Sequence, residues 1–134
     1  MKVKIDTKER FHVITLIEPD ITANLAADLI NTLTKYINQE IKNVILKLPE
    51  TNTIEPEAAE AISKTQQKFY ENNASFVICD LKPELETRLD ELELLEIMNI
   101  TPTESEAWDI VQMEEIEREL MDSADVSFPA KDDD

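Results

Sequence analysis

The stretch at residues 44–62, VILKLPETNTIEPEAAEAI, decides the fold because it runs from a strand through a loop into a helix. Residues 44–48 are apolar apart from one lysine, and a run this short is typical of a buried strand. Pro56 predicts the first turn of a helix, where its fixed φ and missing N–H are tolerated. In an α/β domain, the loop between a strand and the next helix is a common location for a binding or catalytic site. We therefore look for function at this junction first.

Length and composition bound the class of protein. With 134 residues, 42% of them hydrophobic and 32% charged, the chain predicts one globular domain. Its single cysteine, Cys79, excludes an internal disulfide and cannot form a zinc site with the single histidine, His12. The first residues do not resemble a signal peptide, and no apolar run approaches the roughly 18 residues of a membrane span. We expect a cytoplasmic protein with no metal site and no direct membrane insertion.

The distribution of charge and the absence of glycine each exclude a class of ligand. Net charge is −17, and residues 100–134 contribute −10 of it through twelve acids against two bases. Nucleic acid is not expected as a ligand, because phosphate binding needs a basic patch. The chain contains no glycine, so neither the dinucleotide loop nor the Walker loop can form, and no cofactor is predicted. The acidic final helix is interpreted as a solvated face, and docking onto a basic partner stays open as the alternative.

The hydrophobic pattern alternates between strand and helix periods. Residues 1–6 and 10–18 predict two strands that form a hairpin. Further along, the pattern predicts a helix at 22–39, a strand at 44–48, a helix at 56–72, a strand at 75–79, a helix at 83–96 and an extended piece at 97–100. This order implies parallel pairing through right-handed crossovers. The predicted fold is α/β, with a mixed sheet of four to five strands and about four helices.

The last helix has a well-marked start. Thr103 and Glu106 form a capping box, in which the threonine accepts the amide at the third helical position and Glu106 reaches back. The helix is predicted from about residue 103 to residue 121. Residues 122–134 lack periodicity and are rich in charge, which predicts a disordered acidic tail after a domain at 1–121.

The order of these elements, the loop after Leu48 and the sequence ITPTESEA at residues 100–107 resemble the STAS domain, the fold of bacterial anti-sigma-factor antagonists. The resemblance covers residues 1 to about 112. In that family the motif Asp-Leu-Ser, then Ile-Asp-Ser-Ser-Gly, spans the third strand and the start of the second helix. A partner kinase that doubles as anti-sigma factor phosphorylates its second serine. This chain reads KLP at residues 47–49 and IEPEA at residues 54–58.

In this resemblance Glu57 takes the place of the phosphorylated serine, and Lys47 takes the place of the first acid of the motif. A carboxylate cannot accept phosphate from a serine kinase. Glu57 would place about one negative charge at a helix N-terminus, which favours anions. A phosphoserine would place nearly two charges there. Two interpretations stay open. The domain is locked in a phosphorylated-like state, or Glu57 is only a favourable first-turn residue in a lineage that lost the switch.

The resemblance implies a non-enzymatic regulatory module that binds a protein partner, such as an anti-sigma factor or a serine kinase. Glu55 and Glu57 are not predicted to be a catalytic pair, because they point to different faces and have no companion His, Ser or Lys. The alternative function is a structural subunit of a larger complex such as a lipid transporter, and self-association stays open. Besides Glu57 as the phosphosite equivalent, the predicted partner-binding residues are Thr51, Asn52, Thr53, Glu55, Pro56, Ala58 and Ala61.

Three other side chains have two interpretations each. Thr51 and Thr53 are the only hydroxyls in the loop. Their predicted role is in the turn, with phosphorylation as the alternative. For Trp108, packing of the last helix is favoured over anchoring of a partner.

Overall fold

The computed structural model describes residues 1–127, with side chains described as far as Met121. Two short strands, Asp20–Ile21 and Thr53–Ile54, were not predicted from the pattern. A 3₁₀ turn at Lys35–Asn38 follows the first helix. The elements in chain order are β1 (Val3–Thr7), β2 (Phe11–Leu16), β3 (Asp20–Ile21), α1 (Ala23–Thr34), β4 (Asn43–Lys47), β5 (Thr53–Ile54), α2 (Pro56–Glu71), β6 (Phe76–Cys79), α3 (Pro83–Glu91), β7 (Ile100–Thr101) and α4 (Glu104–Ser127).

The main sheet has five strands in the order β1-β2-β4-β6-β7. β1 and β2 pair antiparallel, and each later neighbour in the sheet is parallel. The predicted hairpin and the predicted parallel crossovers are therefore confirmed. β3 and β5 form a separate parallel pair beside the main sheet, in which Ile21 is opposite Ile54. Two-residue strands carry almost no periodic signal, which is why the pattern missed them.

One face of the main sheet carries the larger core. Side chains alternate along a strand, so Ile14, Leu46 and Ile78 all face α1, α2 and α3. Within this core the Phe69 ring of α2 meets the Phe76 ring of β6 edge to face, with centroids 5.2 Å apart. His12 also lies on this side of the sheet, buried and stacked on Tyr36. Its Nε2 donates to the carbonyl oxygen of Ile41 at 3.0 Å.

The other face of the sheet is covered by α4. Ala107 and Val111 of α4 pack on Phe11, Ile45 and Cys79, among other strand residues. The final helix therefore packs on the domain. The Trp108 ring lies edge-on to the Phe11 ring at 5.0 Å between centroids, in the packing role favoured for it.

Hydrogen bonds hold the second half of α4 to the N-terminal ends of β4 and β6. Asn43 Nδ2 donates to Glu115 Oε2 at 2.8 Å, and Ser75 Oγ donates to Glu114. Arg118 Nη2 donates to Ser75 Oγ at 3.2 Å. These bonds set the rotation of the helix about its own axis.

Three helix ends differ from the predicted ones. α1 ends at Thr34, whose hydroxyl donates to the Ile30 carbonyl, and the chain tightens there into the 3₁₀ turn. α3 ends at Glu91 and not near residue 96, because Glu93 adopts a left-handed φ of 61° and Leu94 N–H bonds back to Leu89. α4 continues past Met121 to Ser127, so the predicted boundary at 121 falls inside a helix. The rest of the predicted tail, 128–134, lies outside the described residues.

Among the described residues, no helix is both long enough and apolar enough to span a bilayer.

Candidate functional site

The loop between β4 and α2 is held down by hydrogen bonds from its own residues. Thr51 is fully buried, and its hydroxyl donates to the carbonyl oxygen of Glu18 at 2.8 Å. Asn52 N–H donates to the carbonyl oxygen of Pro19 at 2.7 Å. The proposed roles of Thr51 as a partner-binding residue and as a phospho-acceptor are not compatible with this burial, because neither a partner nor a kinase can reach its hydroxyl. Its observed role is to fix the loop to the end of β2.

Glu55 joins the starts of two helices. It is the N-cap residue of α2, and its backbone N–H donates to the carbonyl oxygen of Ile21 at 2.9 Å. Its carboxylate accepts the N–H of Ala23, the first residue of α1, at 2.8 Å. A carboxylate is well suited to this position, because the first amides of a helix lack intrahelical partners and carry partial positive charge. The pairing of β3 with β5 and this one bond bring the N-termini of α1 and α2 side by side.

Glu57 lies exposed in the first turn of α2, directly after Pro56. Its neighbour Ala58 is buried at 1% exposure and packs in the main core, so a partner cannot contact its side chain in the folded domain. The structure thus places the predicted residues in three groups. Thr51 and Ala58 are buried, Ala61 is half-buried, and five are exposed: Asn52, Thr53, Glu55, Pro56 and Glu57.

Two basic residues of α3 and its cap complete the site and were missed from the sequence. Lys82 Nζ donates to Asn52 Oδ1 at 2.9 Å, and Arg88 Nε donates to the carbonyl oxygen of Ile54 at 3.2 Å. They are the only bases among residues 81–99, beside six acids, and that contrast was the available signal. Arg88 also lines a shallow cavity of about 340 Å³ with Thr22, Thr53 and Glu55. The exposed site therefore presents both signs of charge around the start of α2.

Lys47 lies on the opposite face of the sheet from Glu57. Its side chain points toward α4, as Ile45 does, because alternate residues of a strand share a face. Lys47 Nζ lies 2.9 Å from Glu104 Oε1 and 3.6 Å from Asp80 Oδ2. The hydrogen bond from Lys47 lowers the pKa of Glu104, and the same bond raises the pKa of Lys47. Lys47 and Glu57 are therefore structurally separate, and the charge of Lys47 is met by two acids.

The described residues contain no group of three His, Cys, Asp or Glu side chains arranged to hold a metal ion. The arrangement presents a partly exposed loop and helix start with an exposed carboxylate, Glu57, and two half-buried bases, Lys82 and Arg88. Such a surface can recognise a protein by charge and hydrogen bonding.

The family of the chain follows from comparison with known proteins. The model of the STAS domain matches residues 2–107, most of the chain. This chain belongs to the STAS domain family. A comparison with curated protein sequences finds no match.

Solved structures share the fold at low sequence identity. An anti-sigma factor antagonist from Mycobacterium paratuberculosis is 13% identical, with a TM-score of 0.69 over 83% of this chain and 93% of that one. A serine-to-glutamate variant of RsbS from Moorella thermoacetica is 16% identical, with a TM-score of 0.68 over 84% and 96%. Part of the murine Slc26a9 anion transporter is 8% identical, with a TM-score of 0.61 over 78% of this chain and 18% of the transporter. At these identities the likeness shows the fold alone.

Proposed function

We propose that this protein is a non-enzymatic, cytoplasmic interaction domain that works in the manner of an anti-sigma-factor antagonist, with Glu57 fixed in the position of the phosphorylated serine. One observation carries the proposal. Glu57 lies exposed in the first turn of α2, at the position that the resemblance to the STAS motif gives to the phospho-acceptor. The partner is a protein of the kind that such antagonists bind, an anti-sigma factor or a serine kinase.

The chemistry of Glu57 makes the switch permanent. The side chain has no hydroxyl, so a kinase cannot modify it, and its carboxylate carries about one negative charge, against nearly two for a phosphoserine. That charge lies beside the positive end of the α2 dipole. The serine-to-glutamate variant of RsbS shows that a glutamate introduced for a serine is compatible with this fold. Under this proposal the domain binds the partner of the phosphorylated form, or fails to bind the partner of the unphosphorylated form, at all times.

The proposed contact surface is the exposed part of the loop and helix start. Asn52, Thr53, Pro56 and Glu57 are exposed, while hydrogen bonds of Thr51 and Glu55 fix the loop to the neighbouring chain. Because the loop is fixed by hydrogen bonds before any partner arrives, little conformational entropy is lost on binding.

The experiment is affinity purification of the tagged protein from its own cells, with mass spectrometry of what accompanies it. Three forms are compared: the natural chain, Glu57→Ser and the matched control Glu60→Ser, which changes an exposed glutamate one turn further along α2. We expect a kinase or an anti-sigma factor whose recovery changes with Glu57→Ser and not with Glu60→Ser. Phosphorylation of the new serine by the recovered kinase would restore the natural pattern of recovery. Identical recovery from all three forms would contradict the regulatory role of Glu57.

A second candidate function is a structural subunit of a larger complex, such as a lipid transporter. It is favoured by one observation, that the same fold forms part of an anion transporter chain. In that case the purification recovers membrane-transport subunits, and Glu57→Ser leaves their recovery unchanged. The identity of the recovered proteins therefore separates the two functions.

A further inference from the structure

The outward side of α4 carries a row of exposed apolar side chains. Met113, Ile116 and Leu120 are 53%, 56% and 63% exposed. Their spacings of three and four residues place them on one stripe of the helix. Together they form what we call the α4 stripe. Single exposed apolar residues are common on protein surfaces, but an aligned row of them on one helix is the usual feature of a helix that packs against another.

The α4 stripe is held facing away from the domain. On the opposite side of α4, Ala107 and Val111 are fully buried against the sheet. Further along, Glu114 accepts from Ser75, and Glu115 accepts from Asn43. These contacts prevent the helix from rotating to bury the α4 stripe in its own domain.

Acidic residues border the α4 stripe on both sides. Glu106 and Glu117 flank one side, Glu119 flanks the other, and Asp109 lies one turn before Met113, as follows from 100° per residue. None of these four acids forms an ion pair within the described part of the chain. Between residues 104 and 121 seven acids stand against one base, a net charge of −6. The surface is therefore apolar along its centre and mainly negative along its edges, with Arg10 as the base that lies near Ile116 and Glu119.

We propose that the α4 stripe is a docking surface for a basic amphipathic helix of a partner protein. Apolar side chains of that helix cover Ile116 and Leu120, and its flanking Lys and Arg residues meet Glu117 and Glu119. Flanking charges of this kind select partners in helix pairs, because opposite signs attract and like signs repel. A second copy of the chain is disfavoured as the occupant, since two helices of charge −6 would lie side by side. This surface is on the other side of the sheet from Glu57, so the proposal is independent of the regulatory function.

The test is isothermal titration of the full chain with a synthetic helical peptide of about three heptads, with leucine at the core positions and lysine beside them. The double variant Ile116→Ser with Leu120→Ser removes apolar surface and leaves the charge of α4 unchanged. We expect it to weaken binding of the peptide about tenfold or more, which corresponds to about 1.4 kcal/mol. Ile97→Ser is the matched control, because Ile97 is 67% exposed outside α4, and it should leave the affinity unchanged. Circular dichroism confirms that each variant keeps its helix content.

Four outcomes would overturn the proposal. They are absence of binding, equal binding of the natural chain and the double variant, equal binding of a peptide whose leucines are replaced by serine, and self-association. The second and third would mean that only charge attracts the peptide. Self-association is measured by sedimentation. A dimer of the natural chain that is lost in the double variant would make a second copy the occupant.

Discussion

Within the described residues, one face of the main sheet packs against three helices, and the other packs against α4. Among side chains up to Met121, the first face gathers twenty-two buried apolar residues into one core, whereas the second has seven. The second face adds polar contacts at both ends of the strands, Lys47 with Glu104 at one end and Asn43 and Ser75 with α4 at the other. The first face is therefore stabilised by hydrophobic burial, and the second by a smaller burial together with hydrogen bonds and charges.

This difference predicts two levels of stability within one domain. Elements with few buried apolar contacts open at lower free energy than the core does. We expect α4 to separate from the sheet before the core of α1, α2 and α3 unfolds. The candidate site around Glu57 belongs to the more stable face, while the α4 stripe belongs to the less stable one.

The largest expected effect is on the first face. Phe69→Ala removes a fully buried ring that packs on Phe76, and we expect it to lower the free energy of unfolding by about 3–5 kcal/mol. Urea denaturation followed by circular dichroism measures the loss. Gln67→Ala, at an exposed position of the same helix, is the control and should change the stability by no more than about 0.5 kcal/mol. A loss below about 1 kcal/mol for Phe69→Ala would show that this face does not hold the main core.

The next effect is on the second face. Asn43 is buried, donates to Glu115 and accepts from the N–H of Ser75 at 2.8 Å. Asn43→Ala leaves that buried N–H without its partner, and we expect a loss of about 1–3 kcal/mol, located mainly on α4. Exposed Asn31→Ala is the control.

Alkylation of Cys79 distinguishes local opening of α4 from global unfolding. Cys79 lies fully buried beneath α4, and burial raises the pKa of its thiol to about 12. The thiol therefore reacts at neutral pH only when α4 opens or the domain unfolds. In Asn43→Ala, each 1.4 kcal/mol lost on α4 should raise the labelling rate about tenfold. If the rate instead follows global unfolding in every variant, the two faces do not open separately.

The sequence predicted the fold well because its longer elements carry strong periodic signals. The helix at residues 56–72 was placed within one residue of α2, since Pro56 marks its start and Asn72 its end. The prediction failed where contacts between distant residues determine the local structure. β3 and β5 exist because Asp20 pairs with Thr53 across the chain, and α3 stops early because Glu93 adopts a left-handed conformation that no local signal requires. In a chain without glycine, Asn73, Asp80 and Glu93 take the three positive-φ positions of the described residues.

The candidate site was predicted only in part, for a related reason. The position of Glu57 follows from the motif and from Pro56, and the structure places it exposed at the start of α2. Burial of Thr51 depends on a carbonyl of Glu18, and the contribution of Arg88 depends on how α3 packs beside β5. Contacts between residues more than thirty positions apart are fixed by the tertiary fold, and the local pattern of the sequence does not contain them.

A smaller effect is expected in the pH dependence of the second face. Lys47 lowers the pKa of Glu104 below its ordinary 4.5, so the ion pair contributes stability above that pH and loses it as the pH falls through the lowered value. Because both side chains are partly exposed, the contribution is about 1 kcal/mol or less. Glu104→Gln keeps an oxygen for the Trp108 N–H and should flatten the fall in stability that begins near the ordinary pKa of 4.5 and continues as the pH drops below it. Glu117→Gln is the control, and equal profiles for both variants would contradict a stabilising pair.

The smallest expected effect on stability is that of replacing Glu57, and the size of this effect distinguishes a binding role from a structural one. If Glu57 serves partner binding, its charge contributes only its interaction with the α2 dipole, and Glu57→Gln should lower the free energy of unfolding by about 0.3 kcal/mol. Glu60→Gln, further from the helix start, should have a still smaller effect. Denaturation at low ionic strength measures both, because salt screens the dipole interaction. A loss near 1 kcal/mol together with unchanged partner recovery would identify Glu57 as a helix-starting residue only. A loss of a few tenths of a kcal/mol in the free energy of unfolding, together with altered partner recovery, supports Glu57 as a residue retained for binding. In that case Glu57 contributes to function and contributes little to the stability of the domain.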